Sequence, residues 1–223
     1  MQTHVTSSGS GRFVILDGAS MLEKKATTSV PIHELLARRW SPRAFDPHKT
    51  VAREELAALL EAARWAPSCN GDEPWRYLIW DRGRDPEGYR NAVECLSDNN
   101  KRWVKNVPLL MLSCAGSTFE VKGTPNRWTQ HDTGAASVCM ALQAAALGLI
   151  VHQMGGFDPD KARAAFGIPV DYTPMAMIAV GWQAEPDTIE FAEIKEKELA
   201  PRMRKPLPQR FFEGGWGKGI ALE

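Results

Sequence analysis

The longest apolar stretch of the chain runs from Thr133 to Leu149 and has no polar face. It contains Gln143 and is shorter than the roughly 20 residues that a bilayer-spanning helix needs. A buried helix, with Asp132 as its candidate N-cap, explains it better. A helix without a polar face must be covered on all sides, so the rest of the fold has to enclose it. We expect a partner subunit to supply part of that cover.

Around this helix the sequence alternates between helical and β-prone segments, which indicates a mixed α and β fold. Strands are predicted at 74–80, 107–113, 149–154 and 173–182, and the second is apolar enough to be central in a sheet. Further helices are predicted from Pro31 to Arg39, from Val51 up to Pro67, from Asp85 to about Ser97, and from Pro159 to Phe166, the last capped by Asp158 and ended by Gly167.

Composition limits the possible partners and the cellular setting. The 27 basic and 27 acidic residues leave no net charge to attract nucleic acid. The N-terminus lacks the features of a secretory signal, so we expect a cytoplasmic protein. The four cysteines, with no CxxC pair among them, are predicted to be reduced thiols: Cys69, Cys95, Cys114 and Cys139.

A chain of 223 residues fits one domain with extended ends. We predict a flexible N-terminal segment over 1–28, a core domain over 29–190, and a C-terminal extension over 191–223. The extension carries seven basic residues against four acids before Glu223 and shows little periodicity. We therefore expect it to wrap a surface.

The first candidate site is a basic run at the end of the helix that starts at Pro31. Arg38, Arg39 and Arg43 place three guanidiniums within six residues, together with the hydroxyl of Ser41. Planar guanidiniums that bind two oxygens at once, with a hydroxyl beside them, suit a phosphate monoester. A solvated basic turn is an equally good interpretation of this run alone. A second basic cluster, Arg202 to Lys205, could meet the same anion only through folding.

Two loops could present backbone groups to a planar heterocycle. One spans Pro67 to Trp75 and contains an Asn-Gly pair, and the other is the His152 to Phe157 segment with its two glycines. Ordinary connections between secondary structure elements have the same composition, and taken alone that reading is favoured for both.

Other chemistries lack their motifs. The sequence has no HExxH and no cysteine and histidine at metal-ligand spacing, so no metal site is predicted. It has no GxSxG nucleophile elbow. The glycines between Gly215 and Gly219 follow no predicted strand and precede no predicted helix, so they form neither a Rossmann turn nor a P-loop.

The order RRWSPRAFDP, APSCNGDEPWRYLIW, GLIVHQMGGFD and RMRKPL closely resembles the nitroreductase family of flavoenzymes, over about Pro31 to Trp216. The resemblance implies an α+β fold in which a mixed β-sheet is wrapped by helices. It also implies an intertwined homodimer whose C-terminal tail wraps the partner, with FMN bound at the subunit interface. The C-terminal extension would then complete both the FMN site and the dimer.

The resemblance also implies which residues bind FMN. Arg39 and Ser41 would face the phosphate, Arg43 would lie towards N1 and O2 of the ring, and Arg204 would be a further phosphate ligand. The backbone of the glycine-containing turn would pass the N5 edge. The implied cofactor-binding set is Arg38, Arg39, Trp40, Ser41, Arg43, Pro67, Ser68, Cys69, Asn70, Gly71, Gln153, Met154, Gly155 and Arg204, with the loop 67–71 given by the partner.

This sequence departs from the family pattern at two loop positions. Gly71 stands where asparagine is frequent, and Glu73 stands where glutamine is frequent. The side-chain contacts that the family makes at these two positions are therefore not carried over.

The implied activity is ping-pong hydride transfer, in which NADH or NADPH reduces the flavin at N5 and a small acceptor such as a nitroaromatic or quinone reoxidises it. No catalytic side chain is predicted. Relatives of the same fold perform reductive dehalogenation, ene reduction and flavin fragmentation, so these acceptors stay open. A non-catalytic flavin-binding protein is the alternative of another class.

Overall fold

The structure, a computed structural model, describes residues 7–8, 11–16 and 19–222. Its strands are β1 (Ser7–Ser8), β2 (Gly11–Leu16), β3 (Ala19–Glu23), β4 (Trp75–Asp81), β5 (Leu109–Gly116), β6 (Ile150–Met154) and β7 (Tyr172–Gly181). Its α-helices are α1 (Glu34–Arg38), α2 (Arg53–Arg64), α3 (Pro86–Glu94), α4 (Asp98–Val104), α5 (Thr129–Ala146), α6 (Pro159–Phe166) and α7 (Ala192–Leu199). Short 3₁₀ turns lie at Cys69–Gly71, Pro186–Thr188 and Leu207–Gln209.

The main sheet has the strand order β4-β5-β7-β6, and β1, β2 and β3 form a separate small sheet. The α+β class is confirmed. Each of the three ladders described in the main sheet is antiparallel, so the sheet is antiparallel rather than mixed. The mixed sheet was implied by the family resemblance alone, because apolar runs mark strands without encoding their direction.

The two inner strands are buried on both faces of the sheet. Along β5 the side chains alternate, so Leu110 and Leu112 pack with α3, α4 and α6, whereas Leu109 and Met111 pack with α2 and α5. Fully burying one such side chain contributes about 1.5–3 kcal/mol. The prediction that this run is central in a sheet is therefore confirmed, because helices cover it from both sides.

Helix α5 begins at Thr129, four residues earlier than an N-cap at Asp132 predicts, so Asp132 is not its N-cap. Trp128 occupies the cap position without a side-chain hydrogen bond, and Asp132 lies in the first turn with its carboxylate on Cys69. Within one chain only one face of α5 is buried, and Val138 on the opposite face is 50% exposed. Cover of that face by a second subunit stays a prediction.

Other helix boundaries also shift. Helix α1 begins at Glu34, because His33 Nδ1 accepts the N–H of Leu35 and caps it there. Helix α2 ends at Arg64, before Pro67. The helix predicted from Asp85 to about Ser97 is α3, which ends at Glu94, and the N–H of Ser97 beyond it donates to Gly156 O. Helix α4, which begins at Asp98, was not predicted.

Of the last two helices, the sequence predicts α6 correctly but not α7. Helix α6 is confirmed, with Asp158 accepting from the N–H of Lys161 and Gly167 left-handed at φ 62°. The extension was expected to lack periodicity, yet it contains α7. Ile194 and Glu198 form the buried side of α7, and a charged residue on that side conceals the pattern.

The prediction of a flexible segment over 1–28 includes residues 1–6, 9–10 and 17–18, which lie outside the described residues. After β3 begins, Leu22 and Lys24 are buried, and Leu22 O accepts from Gln183 Nε2 at 2.8 Å. The division into three regions remains a prediction. All four cysteines are free, as predicted. Among the described helices, none is long and apolar enough to cross a bilayer.

Gly181 at the end of β7 gives a test of the packing. A Cβ placed there would lie 2.6 Å from Pro108 Cδ and 3.0 Å from Phe45 Cδ1. Both neighbours are stiff rings, so we expect Gly181→Ala to lower the free energy of unfolding by about 1–3 kcal/mol. Denaturant titration followed by circular dichroism measures this. The control is Gly83→Ala, whose nearest contact would be an ordinary 3.5 Å. Equal stability of the two variants would contradict the packing.

Candidate functional site

The segment from Arg39 to Phe45, the arginine segment, follows α1 and has no regular helix or strand, because Pro42 prevents a continued helix. Side chains from two other elements bind its backbone. His152 Nδ1 of β6 lies 2.9 Å from Pro42 O, and the Glu198 carboxylate of α7 accepts the N–H groups of Arg43 at 2.9 Å and Ala44 at 3.3 Å. The segment is thus fixed between an edge strand and the C-terminal helix.

Three guanidiniums from the two predicted basic clusters come together beside this segment. Burial, and then the neighbouring Arg204, lower the pKa of Arg39. Burial, followed by Arg39 and Arg204, lowers the pKa of Arg202, which donates to Lys24 O and Ala37 O. Within the described part of the chain, no carboxylate forms an ion pair with Arg39 or Arg204. Unpaired guanidiniums that repel one another make an arrangement that an anion such as phosphate would stabilise.

The other residues of the run have different surroundings. Arg38 donates through Nη2 to Ala145 O at 3.0 Å, and so binds a carbonyl at the C-terminal end of α5. The Lys24 ammonium lies 4.4 Å from the ring centroid of Trp40. Ser41 is half-buried. A cavity of about 260 Å³ opens along the segment and is lined by Leu22, Arg38, Arg39, Trp40, Ala145 and Val151, among others.

The loop from Pro67 to Trp75 is held rigidly, although it is irregular. Asn70, Gly71 and Glu73 have φ values of 57°, 66° and 48°, the left-handed region that asparagine and glycine tolerate better than glutamate. Asp132 Oδ2 accepts the N–H of Cys69 at 2.9 Å, and Ser68 Oγ accepts the N–H of Glu73 at 3.1 Å. These bonds offset the strain at Glu73.

Asp72 connects the same loop to the segment that precedes α5. Its carboxylate accepts from Glu120 N–H at 2.9 Å and from Asn126 Nδ2 at 3.0 Å, and Asn126 is buried. Neither Asp72 nor Asp132 was predicted as part of the site. Their contacts are with residues distant in the chain, and the sequence does not show where a carboxylate points. Among the described contacts and cavities, none joins this loop to the arginine segment within one chain.

The residues predicted for the glycine-containing turn, at the end of β6 and just beyond it, differ in their exposure. Gln153 is exposed and Met154 is buried. A Cβ at Gly155 would meet nothing within 4 Å, whereas one at Gly156 would lie 2.8 Å from Ser97 Oγ and from Asn100 Nδ2. A side chain at 156 would therefore displace the side chains of Ser97 and Asn100, whereas the open space beside Gly155 leaves its backbone accessible to a ligand.

His152 is the titratable group that is most strongly shifted towards its neutral form at this site. It is buried, packs against Trp103 with ring centroids 4.8 Å apart, and bonds to Pro42 O. Burial lowers its pKa to about 4. Because a carbonyl can only accept, Nδ1 carries the proton of the neutral ring.

Comparison with known proteins decides the family. The model of the nitroreductase family matches residues 36–182, about two thirds of the chain. The chain belongs to the nitroreductase family. The matched span of this nitroreductase-family protein includes the arginine segment, the 67–75 loop and the turn after β6, but not Arg204.

Individual relatives agree with this assignment. A solved structure described as an oxidoreductase containing FMN has a TM-score of 0.79 and 32% identity, and the match covers 85% of this chain and 95% of that one. A putative NAD(P)H nitroreductase, YdgI of Bacillus subtilis, is 23% identical over 68% of this chain and 88% of its own length. The 5,6-dimethylbenzimidazole synthase of Rhodospirillum rubrum is 28% identical over 71% of this chain and 83% of its own length.

His152 gives a prediction about pH. Its folded-state pKa of about 4 is below the ordinary 6.5, so the unfolded chain binds the proton more tightly. The free energy of unfolding should therefore fall as pH falls from 6.5 towards 4, by up to about 3 kcal/mol from this group. His152→Gln, which cannot titrate but can still donate to Pro42 O, should lose this dependence in urea titrations at several pH values.

The control for that measurement is His48→Gln, since His48 is exposed. It should keep the pH dependence of the unsubstituted protein. The same dependence in His152→Gln would mean that His152 is not held neutral by burial.

Proposed function

We propose that the protein is an FMN-dependent NAD(P)H oxidoreductase that acts as a homodimer. The observation that carries the proposal is the pair of neighbouring guanidiniums of Arg39 and Arg204, for which the described residues provide no carboxylate partner. Arg39 also lines a cavity to which β6 contributes Ile150 and Val151. The FMN named for the similar solved structure and the NAD(P)H named for the Bacillus relative support it.

The cofactor-binding roles are proposed as the family resemblance implies them. We assign the FMN phosphate to Arg39, Ser41 and Arg204, and the charge near N1 and O2 of the ring to Arg43. The accessible backbone beside Gly155 fits the edge of the isoalloxazine, together with Gln153 and Met154. Arg38 and Trp40 line the cavity of about 260 Å³ together with Arg39, which supports their place in the predicted set.

The dimer would explain why the site is divided. The loop carrying Pro67, Ser68, Cys69, Asn70 and Gly71 shares no described contact with the arginine segment of its own chain. A second copy can supply that loop. The half-exposed Val138 on α5 and the exposed Val30, Ile32 and Leu36 provide apolar surface for the interface.

Bound FMN would supply a two-electron carrier, which takes a hydride from NADH or NADPH and passes electrons to an acceptor. The protein binds the phosphate, keeps a cation near the ring and leaves one side of the cleft open. Donor and acceptor would use the same cleft in turn, which gives ping-pong kinetics. We propose a nitroaromatic or a quinone as acceptor, and the four free thiols fit a reducing cytoplasm.

Spectroscopy tests the cofactor and the activity together. We expect purified protein reconstituted with FMN to be yellow, and to bleach when NADH or NADPH is added without oxygen. A panel of nitroaromatics, quinones, enones and halogenated aromatics should then restore the colour at different rates, the fastest class being the acceptor. Protein that retains FMN but is not bleached by either nucleotide would be a non-catalytic flavin-binding protein.

The phosphate assignment has its own test. Arg39→Ala and Arg204→Ala should each remove a charge-assisted hydrogen bond worth about 1.5–3 kcal/mol, and so weaken FMN binding by roughly ten-fold or more. Fluorescence titration with FMN measures the dissociation constant. The control is Arg84→Ala, a surface arginine whose guanidinium lies 3.8 Å from Asp81. Unchanged affinity in both site variants would overturn the assignment.

A further inference from the structure

Glu198 is a completely buried carboxylate far along the chain from the residues it contacts. Its Oε1 accepts from the N–H groups of Arg43 at 3.0 Å and Ala44 at 3.3 Å, and its Oε2 accepts from Arg43 at 2.9 Å. The Arg43 guanidinium lies 3.9 Å from Oε2. A buried charge is costly unless it is hydrogen-bonded, and here both oxygens have partners.

Only a carboxylate satisfies this arrangement. Both side-chain oxygens accept hydrogen bonds, and the groups of Arg43 and Ala44 that face them in these bonds are N–H donors, not carbonyl acceptors. An amide in the same place would turn an N–H₂ group towards a backbone N–H. Burial raises the pKa of Glu198, while the N–H groups of Ala44 and Arg43 oppose that rise.

The bond network around Glu198 joins three distant parts of the chain. Lys24 Nζ, after β3, donates to the backbone oxygen of Glu198 at 2.7 Å. Arg202, just beyond α7, donates to Lys24 O and Ala37 O. Helix α7, the residues after β3 and the arginine segment are therefore docked as one unit. On the opposite side the segment meets only His152 of β6 in the described side-chain bonds.

We propose that Glu198 is a positioning residue for the cofactor site: its carboxylate fixes the backbone of Arg43 and Ala44, so that FMN binding depends on the docking of α7. The inference rests on the proposed function, because Arg43 is assigned there to the flavin ring. The basic residues after α7 then have two tasks. Arg202 holds the docked tail, and Arg204 reaches the anion.

The experiment compares Glu198→Gln with Glu196→Gln, a change of the same chemistry on the exposed side of the same helix. FMN dissociation constants are measured by fluorescence, well below the unfolding temperature of each variant. We expect Glu198→Gln to bind FMN about ten-fold or more weakly while its far-ultraviolet circular dichroism is unchanged. Glu196→Gln should bind FMN like the unsubstituted protein. Glu198→Asp, one methylene shorter, should bind with intermediate affinity.

A double-mutant cycle separates positioning from general stability. If Glu198 acts through Arg43, the Glu198→Gln and Arg43→Ala double variant should lose little more affinity than the weaker-binding single variant. Losses that multiply, or an FMN affinity of Glu198→Gln within two-fold of the unsubstituted protein, would overturn the proposal. Should Glu198→Gln fail to fold, the same cycle with Glu198→Asp decides.

Hydrogen exchange without FMN keeps the inference separate from the proposed function. The backbone amides of Ser41, Arg43, Ala44 and Phe45 should exchange faster in Glu198→Gln than in Glu196→Gln, whether or not FMN is present. If the unsubstituted protein does not bind FMN but the two variants still differ in exchange, the proposed function is refuted and the docking of the segment is supported. Equal exchange in the two variants would refute the docking.

Discussion

Burial of β5 and β7 on both faces is the constraint on which the rest of this fold depends. Two inner strands covered by helices on each side need two apolar layers, and α2 with α5 form one while α3, α4 and α6 form the other. This leaves β6 at an edge of the sheet. An edge strand has unpaired backbone groups, and the arginine segment with the cavity of about 260 Å³ lies on that side.

The arginine segment itself has no regular secondary structure, so other elements must satisfy its backbone. His152 and Glu198 do this from opposite sides, one as a neutral ring and the other as a buried carboxylate. Burial lowers the pKa of His152 and raises the pKa of Glu198, and each shift favours the neutral form of the group. Because both groups bind backbone, neither neutralises Arg39 or Arg204, and no other carboxylate of the described residues forms an ion pair with these two guanidiniums. They therefore stay available to an anion.

The strands and most helices could be predicted because their signals are local: apolar runs for β4 to β7, and Asp158 with Gly167 for α6. What failed depended on partners distant in the chain. Asp132 looked like an N-cap, yet it bonds to Cys69, and Glu198 concealed the buried side of α7. The arginine clusters were recognised as basic, but their proximity required the fold. Strand direction, too, is set by connections rather than by composition.

The 67–75 loop shows why an irregular segment can serve as a binding surface. Left-handed backbone at Asn70, Gly71 and Glu73 would be unfavourable in a free loop, and Asp72, Asp132 and Ser68 bind its backbone and neighbours to keep it in place. A loop fixed in this way loses little entropy when it contacts a ligand. The arginine segment is fixed by similar means, with the Glu198 carboxylate on backbone N–H groups and His152 on a backbone carbonyl. Both segments are therefore held in place within one chain, before any ligand contacts them.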